Sequence, residues 1–521
     1  MRGAVAAGHP LTAETGARIL AEGGNAVDAC IAAGFASWVV ESPLTGPGGG
    51  GFMLVHNARG GSTRLLDFFV AVPGLGGRRA DPRGMESVDI DFDRSSTQVF
   101  RIGSASCAVP GTVAGLAEAH RTYGTLPWRT LLEPAIELAH EGFEMTRPQA
   151  YLHAILDLIL RHTEEGNRVY GPNGSRLAAG DRVVLADLGD TLEQLAQHGP
   201  KAFYRGELGR AIVRHLRETG GAVTRRDLAE YRVIRRRPVR VAFRGHEFVS
   251  NPPPSSGGVL IAYALRLLDR LMGDEQPGSA EAMALLVEAM REQNRARLGS
   301  FERDLYRGGL ARRLCADATV RAAVKRMRRR LPSAAEAAAP GGTTHISVVN
   351  ALGDAASLSS SCGSGSGVVV PGTGIHLNNM LGEYDLVPSR SEPRAGTRLT
   401  SMMAPSVVLH EGRPRLVVGS AGSVRLRGAI FQIVVNVIGH GFPVETAIEH
   451  PRVHLEEPHV HCEGGADPAE LDRLEDFGYD VVRWRRRNLY FGGASAVELR
   501  DDGSLAAAGD PRRGGHGVVV Q

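Results

Sequence analysis

Cysteines with a recognisable spacing are missing from this sequence. The five present, Cys30, Cys107, Cys315, Cys362 and Cys462, form an odd, scattered set. That argues against a disulfide framework and against a zinc site. Long apolar runs are missing too. Ala29 to Val40 is the longest candidate, falls short of a bilayer-spanning length and reads as a buried helix. The first residues hold one Arg and no apolar stretch of the signal-peptide kind, so the expected compartment is the cytoplasm, or the periplasm or exterior if a leader has been removed. Neither sign of charge dominates. A net charge of +3 gives no reason to expect nucleic acid as a partner. The basic run Lys325 to Arg330 has no interleaved aromatic residue and reads as a solvated helix end. The glycines at Gly48 to Gly51 are not followed by Gly-Lys-Ser/Thr, which rules out a phosphate loop. No metal and no cofactor is expected, and no membrane partner.

The composition present is that of an ordinary globular protein of 521 residues, with 43% hydrophobic and 22% charged residues. Gly is abundant at 66, so tight loops and close backbone approaches are expected. Residues 11–40 read as a helix pair. Thr12 is the expected cap of the first helix, which stops at Gly23-Gly24, and Asn25 opens the second. The dense glycines before the Phe52 to Val55 strand mean backbone passing close to something, either an active-site turn or a tight hairpin. Leu65 to Phe69 is the paired strand. Asn251 to Gly258 is a rigid Pro run ending in a flexible turn, ahead of an apolar helix from Val259 to Leu271.

The most informative stretch is Gly341-Gly342-Thr343-Thr344-His345-Ile346-Ser347-Val348-Val349-Asn350. Residues 331–342 are small and low in complexity, and read as a linker. A strand pattern follows at once. If the Gly342–Thr343 bond is cut, Thr343 gains a free α-amine beside its own hydroxyl, a nucleophile and base on one residue. Such an amine has a reference pKa of about 7.7–8.0, so a useful fraction is unprotonated near neutral pH.

The chain resembles the gamma-glutamyltransferase family of N-terminal nucleophile hydrolases. The motifs that carry the resemblance run in order over nearly its whole length. They are Ala6 to Pro10, the Gly48–Phe52 turn, Leu66-Asp67-Phe68, Val109-Pro110-Gly111, Pro252–Gly258, Thr343-Thr344-His345, Gly372-Thr373-Gly374 with Asn378-Asn379, Gly419–Gly422 and Asp510–Gly515. The resemblance implies an α+β fold, a four-layer αββα sandwich, autoprocessed into two interleaved subunits. The large subunit would be 1–342 and the small one 343–521, together one body. It implies a small-molecule substrate, attack by Thr343 on an amide carbonyl, and water or an amine as acceptor. Oxyanion donors would come from the Gly422-Ser423 turn, and Ser361 would be a second hydroxyl bonded to the nucleophile. Thr344 is read as supporting Thr343. His345 is read as facing away from it on the strand, and so as structural.

The substrate-binding positions depart from the glutathione-type pattern that the resemblance supplies. Phe69 stands where such members have a carboxylate-clamping Arg, and cannot make that charge-assisted bridge. Gly363 stands for Asn, Met380 for Gln and Glu383 for Asp, while Ser401-Met402 replaces a serine pair. The stretch between Glu383 and Ser401 is short for a lid. The expected pocket is therefore more apolar and more open, with the acylation machinery kept. Two alternatives stay open. One is hydrolysis of a non-glutamyl bond, including the carbon–carbon cleavage of a family subset in alkylproline pathways. The other is ligand binding without chemistry.

Overall fold

The computed structural model describes residues 2–93, 96–330, 343–384, 386–387, 394–422 and 425–521. The linker 331–342, including Gly342, and Ser423 lie outside the described residues, as do 385 and 388–393 of the segment read as a short lid.

The strand expected to begin beside Thr343 runs over Thr344–Asn350, and every residue in it is buried. It sits mid-sheet in a seven-stranded antiparallel sheet. The order is His516–Val520, Gly3–Ala7, Thr344–Asn350, Ala355–Ser361, Gly50–Asn57, Ser62–Phe68 and Ile234–Arg236. Thr344 pairs with Ser360 and Ala7 with Ile346, so the start of the strand is held on both sides. A second sheet runs Leu505–Gly509, Gly493–Leu499, Arg413–Ala421, Ser406–His410, His246–Ser250 and Val239–Phe243.

The period of two decides what each face of the first sheet meets. Val5, Met53, Ile346, Val348 and Leu358 belong to the core shared with the helices Pro10–Ala21 and Ala26–Val40. Ala4, Phe52, Leu54 and Val349 belong to the core reached by the second sheet, which extends to the Gly257–Leu268, Ala280–Ala296 and Leu426–Val434 helices. Helices therefore cover both outer faces of two stacked sheets, the four-layer αββα arrangement.

Ala26–Val40 is buried all round, which explains its apolar run without a membrane. No helix among the described residues is long and apolar enough to cross one. Asn25 caps it in a reciprocal box with Asp28. The Thr12 cap does not form. His9 takes that place, its Nδ1 accepting from Leu11 N at 3.2 Å, and Pro10 fills the first helical position. Thr12 lies inside the helix and donates its hydroxyl to Glu41 Oε1 at 2.8 Å. The apolar helix expected over Val259 to Leu271 runs over Gly257–Leu268.

Candidate active site

Thr343 is buried at the head of the central strand. Around it the chain converges from several places, among them the Gly8–His9 turn, the end of the Ala26–Val40 helix, the Arg147–Ile155 helix, the end of the Arg413–Ala421 strand, Gly493–Ala494 and the turn that carries Asp510, Arg512 and Arg513. Together they line a narrow cavity that contains Thr343, Thr344 and His345.

Thr344 turns to the helical layer and donates its hydroxyl to Glu41 Oε2, so Glu41 ties the strand start to the first helix through Thr12. Burial holds the Glu41 carboxyl above the ordinary glutamate range, opposed by the Thr344 and Thr12 hydroxyls and by the charge of Arg513. His345 does not face away from Thr343. Residues two apart share a strand face, so it is Thr344 that turns away. His345 points into the layer between the sheets, against Gly419, with Nδ1 2.8 Å from Ser359 Oγ and Nε2 3.0 Å from Ser347 Oγ. Burial pushes its pKa down to about 3, so it is neutral and structural in its contacts.

Ser361 ends the neighbouring strand, opposite Gly50, and its Oγ accepts from Gly363 N at 2.8 Å. A side chain on Gly49 would meet the Ser361 carbonyl at 2.4 Å, which is the close approach the glycine cluster foretells. Gly363 adopts φ +73, and a Cβ there would lie 2.1 Å from Asn379 Oδ1 and 3.1 Å from Glu383 Oε1. Asn379 thus fills the space that a side chain at 363 would need. Ser364 N donates to Asn379 Oδ1 at 3.0 Å and to Glu383 Oε1 at 3.4 Å. Asn378 holds the next wall: its amide donates to Gly48 O at 2.7 Å and Ala108 O at 3.0 Å, and its Oδ1 accepts from Met380 N at 3.2 Å.

The Pro252–Gly258 turn docks on Ser401 and Met402. Ser401 O accepts from Ser256 N and from Ser255 Oγ, each at 2.8 Å, and Ser256 Oγ approaches Met402 Sδ at 3.2 Å. Phe69 is fully buried, stacked on Phe52 with centroids 5.4 Å apart. It shares one apolar core with Met380 and Met402. Arg398 is committed elsewhere: Nε lies 3.2 Å from Asp67 Oδ1, Nη1 donates to Phe69 O at 2.8 Å, and its guanidinium covers the Tyr231 ring. Gly422 has φ +118 at the end of its strand, and Arg425 N donates to Gly422 O at 3.0 Å.

Sequence reasoning assigned no part to Glu41 or Arg513, though Arg513 lies in the Asp510–Gly515 motif and Glu41 directly follows the second helix. Among the described residues no group of His, Cys, Asp and Glu is placed to hold a metal ion.

Two stacked sheets between helical layers, with a threonine at the head of a central strand, define the N-terminal nucleophile hydrolase type. The family model for gamma-glutamyltranspeptidase matches residues 12–520, and the chain belongs to that family of hydrolytic enzymes. It is 33% identical to the acylase ACY 1 proenzyme of Pseudomonas sp. (strain SE83), over 100% of this chain and 94% of the relative. It is 31% identical to the glutathione hydrolase proenzyme of Escherichia coli (strain K12), over 98% and 90%. Among solved structures, the cephalosporin acylase from Bacillus halodurans superposes with a TM-score of 0.84 at 25% identity, covering 99% of this chain and 95% of that one.

Proposed function

We propose that the protein is a self-processing amide hydrolase or acyltransferase that acts through Thr343, with a substrate pocket altered from the glutathione type. Cleavage between Gly342 and Thr343 would yield fragments 1–342 and 343–521. Thr343 Oγ then attacks an amide carbonyl, and the Thr343 α-amine takes the hydroxyl proton and delivers it to the leaving nitrogen. Water or an amine resolves the ester. Gly422 and Ser423 are the proposed oxyanion donors. Ser361 is the proposed partner of the nucleophile. Gly363, Met380, Glu383, Ser401 and Met402 are the proposed substrate wall.

The observation that carries this reading is the burial of Thr343 at the head of a strand fixed on both sides, opening on a cavity. A hydroxyl held in that way has little freedom to lose on reaching the transition state. That two relatives carry the word proenzyme in their names supports the cleavage. Purified protein is expected as two fragments, the smaller beginning at Thr343, and Thr343→Ala as one uncut chain. Intact mass with N-terminal sequencing reads both, and a fragment beginning elsewhere overturns the reading.

A further inference from the structure

The turn over residues 488–492 lies against the strand end that carries Gly422, backbone on backbone. A Cβ on Gly422 would stand 3.0 Å from Gly492 Cα, and one on Gly492 would stand 2.9 Å from Ala421 O. Gly492 takes φ +90, so it is left bare by conformation as well as by space. The turn is itself fixed from outside. Asn488 N donates to Glu463 Oε1 at 3.1 Å, Tyr490 N donates to Asn488 Oδ1 at 2.8 Å, and Phe491 O accepts from Arg452 Nη1 at 3.0 Å.

Tyr490 is the side chain by which this turn reaches Arg425. It is fully buried. Its ring stacks on Trp484 with centroids 4.6 Å apart, and Trp484 Nε1 donates to His461 Nδ1 at 3.1 Å. Its hydroxyl donates to Glu456 Oε2. Burial raises the Tyr490 pKa, with the Arg425 charge opposing and the Glu456 charge adding, so the phenol keeps its proton at neutral pH. The ring is thus held at its edge and its tip. The guanidinium carbon of buried Arg425 sits 3.9 Å from the ring centroid, a cation–π contact shielded from water. Arg425 N in turn donates to Gly422 O at 3.0 Å. A carbonyl and the N–H that follows it belong to one planar peptide, so holding the one orients the other. Ala421, next to Gly422, lines the cavity that contains Thr343.

We propose that Tyr490 is a positioning residue for the reaction at Thr343: by clamping Arg425 it holds the Gly422 turn in the geometry that stabilises the oxyanion. This rests on the reading of Thr343 as nucleophile and of that turn as its oxyanion support. Such donors help only when they are aimed before the charge develops. Tyr490 acts through Arg425 and not on the substrate.

The test uses the purified full protein with Tyr490→Phe, Tyr490→Leu and Arg425→Met. Hydrogen exchange read by mass spectrometry follows the peptide that carries Gly422 and Arg425. Tyr490→Leu and Arg425→Met are each expected to speed its exchange at least about tenfold, as a loosened segment does. Tyr490→Phe keeps the ring and should stay closer to the wild type. This arm needs no substrate, and it decides by itself where no probe is turned over.

The second arm is steady-state hydrolysis of γ-glutamyl, glutaryl and butyryl anilides. In Tyr490→Leu kcat should fall about ten- to a hundredfold on whichever of them the wild type turns over, with KM changed less than about threefold. Tyr490→Phe should recover most of that loss. Tyr490→Leu/Arg425→Met should lose no more than the worse single variant, because both remove one contact. If Tyr490→Leu does not fold, Arg425→Met reads the same contact from its other side. Exchange that ignores the substitutions, a loss carried by KM, or losses that add in the double variant each overturn the proposal. If the wild type is uncut before Thr343 and turns over no anilide while exchange still responds, the nucleophile reading fails and the hold of Tyr490 on the turn stands. If it is cut and active but exchange and kcat both ignore the variants, the clamp fails alone.

Discussion

Glu41 receives a hydroxyl from Thr12 on one oxygen and from Thr344 on the other, so one carboxyl fixes the residue next to the proposed nucleophile. Its carboxyl is raised on folding, chiefly by burial. A group raised in this way holds its proton more tightly in the native state than in the unfolded one. Its contribution to stability is full below the ordinary glutamate value of 4.5 and is lost as pH rises through the native value. Glu41→Gln should therefore flatten the fall in Tm that the wild type shows above that pH, measured by calorimetry across the acid range. Phe69 leads to a second prediction at this scale. Without a cation at 69, efficiency on glutathione is expected to be lower than that of glutathione-type members by a factor on the order of a hundred, since each 1.4 kcal/mol is about tenfold. Sequence comparison alone suggests that Phe69→Arg would restore part of this. The ring is fully buried on Phe52, however, so the substituted cation would enter an apolar core. The expected outcome is a lower Tm by several degrees and no gain on glutathione, read by a steady-state assay beside a melting curve. The strand that begins beside Thr343 and a close backbone approach at Gly48 to Gly51 were legible in the sequence, because the signals are local. The tie from Glu41 to Thr344 was not, because it joins residues far apart in the chain.

At the scale of elements, the Ala26–Val40 helix matters through its two ends. Asn25 closes its first turn by accepting from Val27 N at 2.8 Å and Asp28 N at 2.9 Å, and its amide donates to Tyr123 O at 2.7 Å. Glu41 follows directly at the other end. Asn25→Ala is expected to cost about 0.5–2 kcal/mol, the range for a lost cap, in denaturant unfolding. Cleavage before Thr343 should persist, because the Thr344 contact is made at the far end. This helix was readable from Asn25 and its apolar run. The start of the preceding helix was not: Thr12 has the right chemistry for a cap, but Pro10 pre-sets the first helical residue and His9 supplies the acceptor one turn earlier. The direction of His345 was misjudged for a simpler reason, the period of two along its strand. Its hydrogen bonds to Ser359 and Ser347 show which face it takes.

For the whole molecule, the seven-stranded sheet decides how a cut chain behaves. Thr344–Asn350 and Ala355–Ser361 lie between Gly3–Ala7 and Gly50–Asn57, and His516–Val520 closes the outer side of Gly3–Ala7. The two products of cleavage are therefore expected to elute as one species in size-exclusion chromatography and to separate only in denaturant. Separate elution under native conditions would contradict that. The same strand order bears on how the protein can be made. A chain of residues 1–342 synthesised alone would leave unpaired N–H and C=O groups along both edges of Gly3–Ala7, along one edge of Gly50–Asn57 and along one edge of His246–Ser250. Bare edges of that kind recruit other chains. Its partner is the 343–521 segment already tethered to it, so assembly would precede the proposed cleavage, and halves expressed apart should precipitate rather than complement each other.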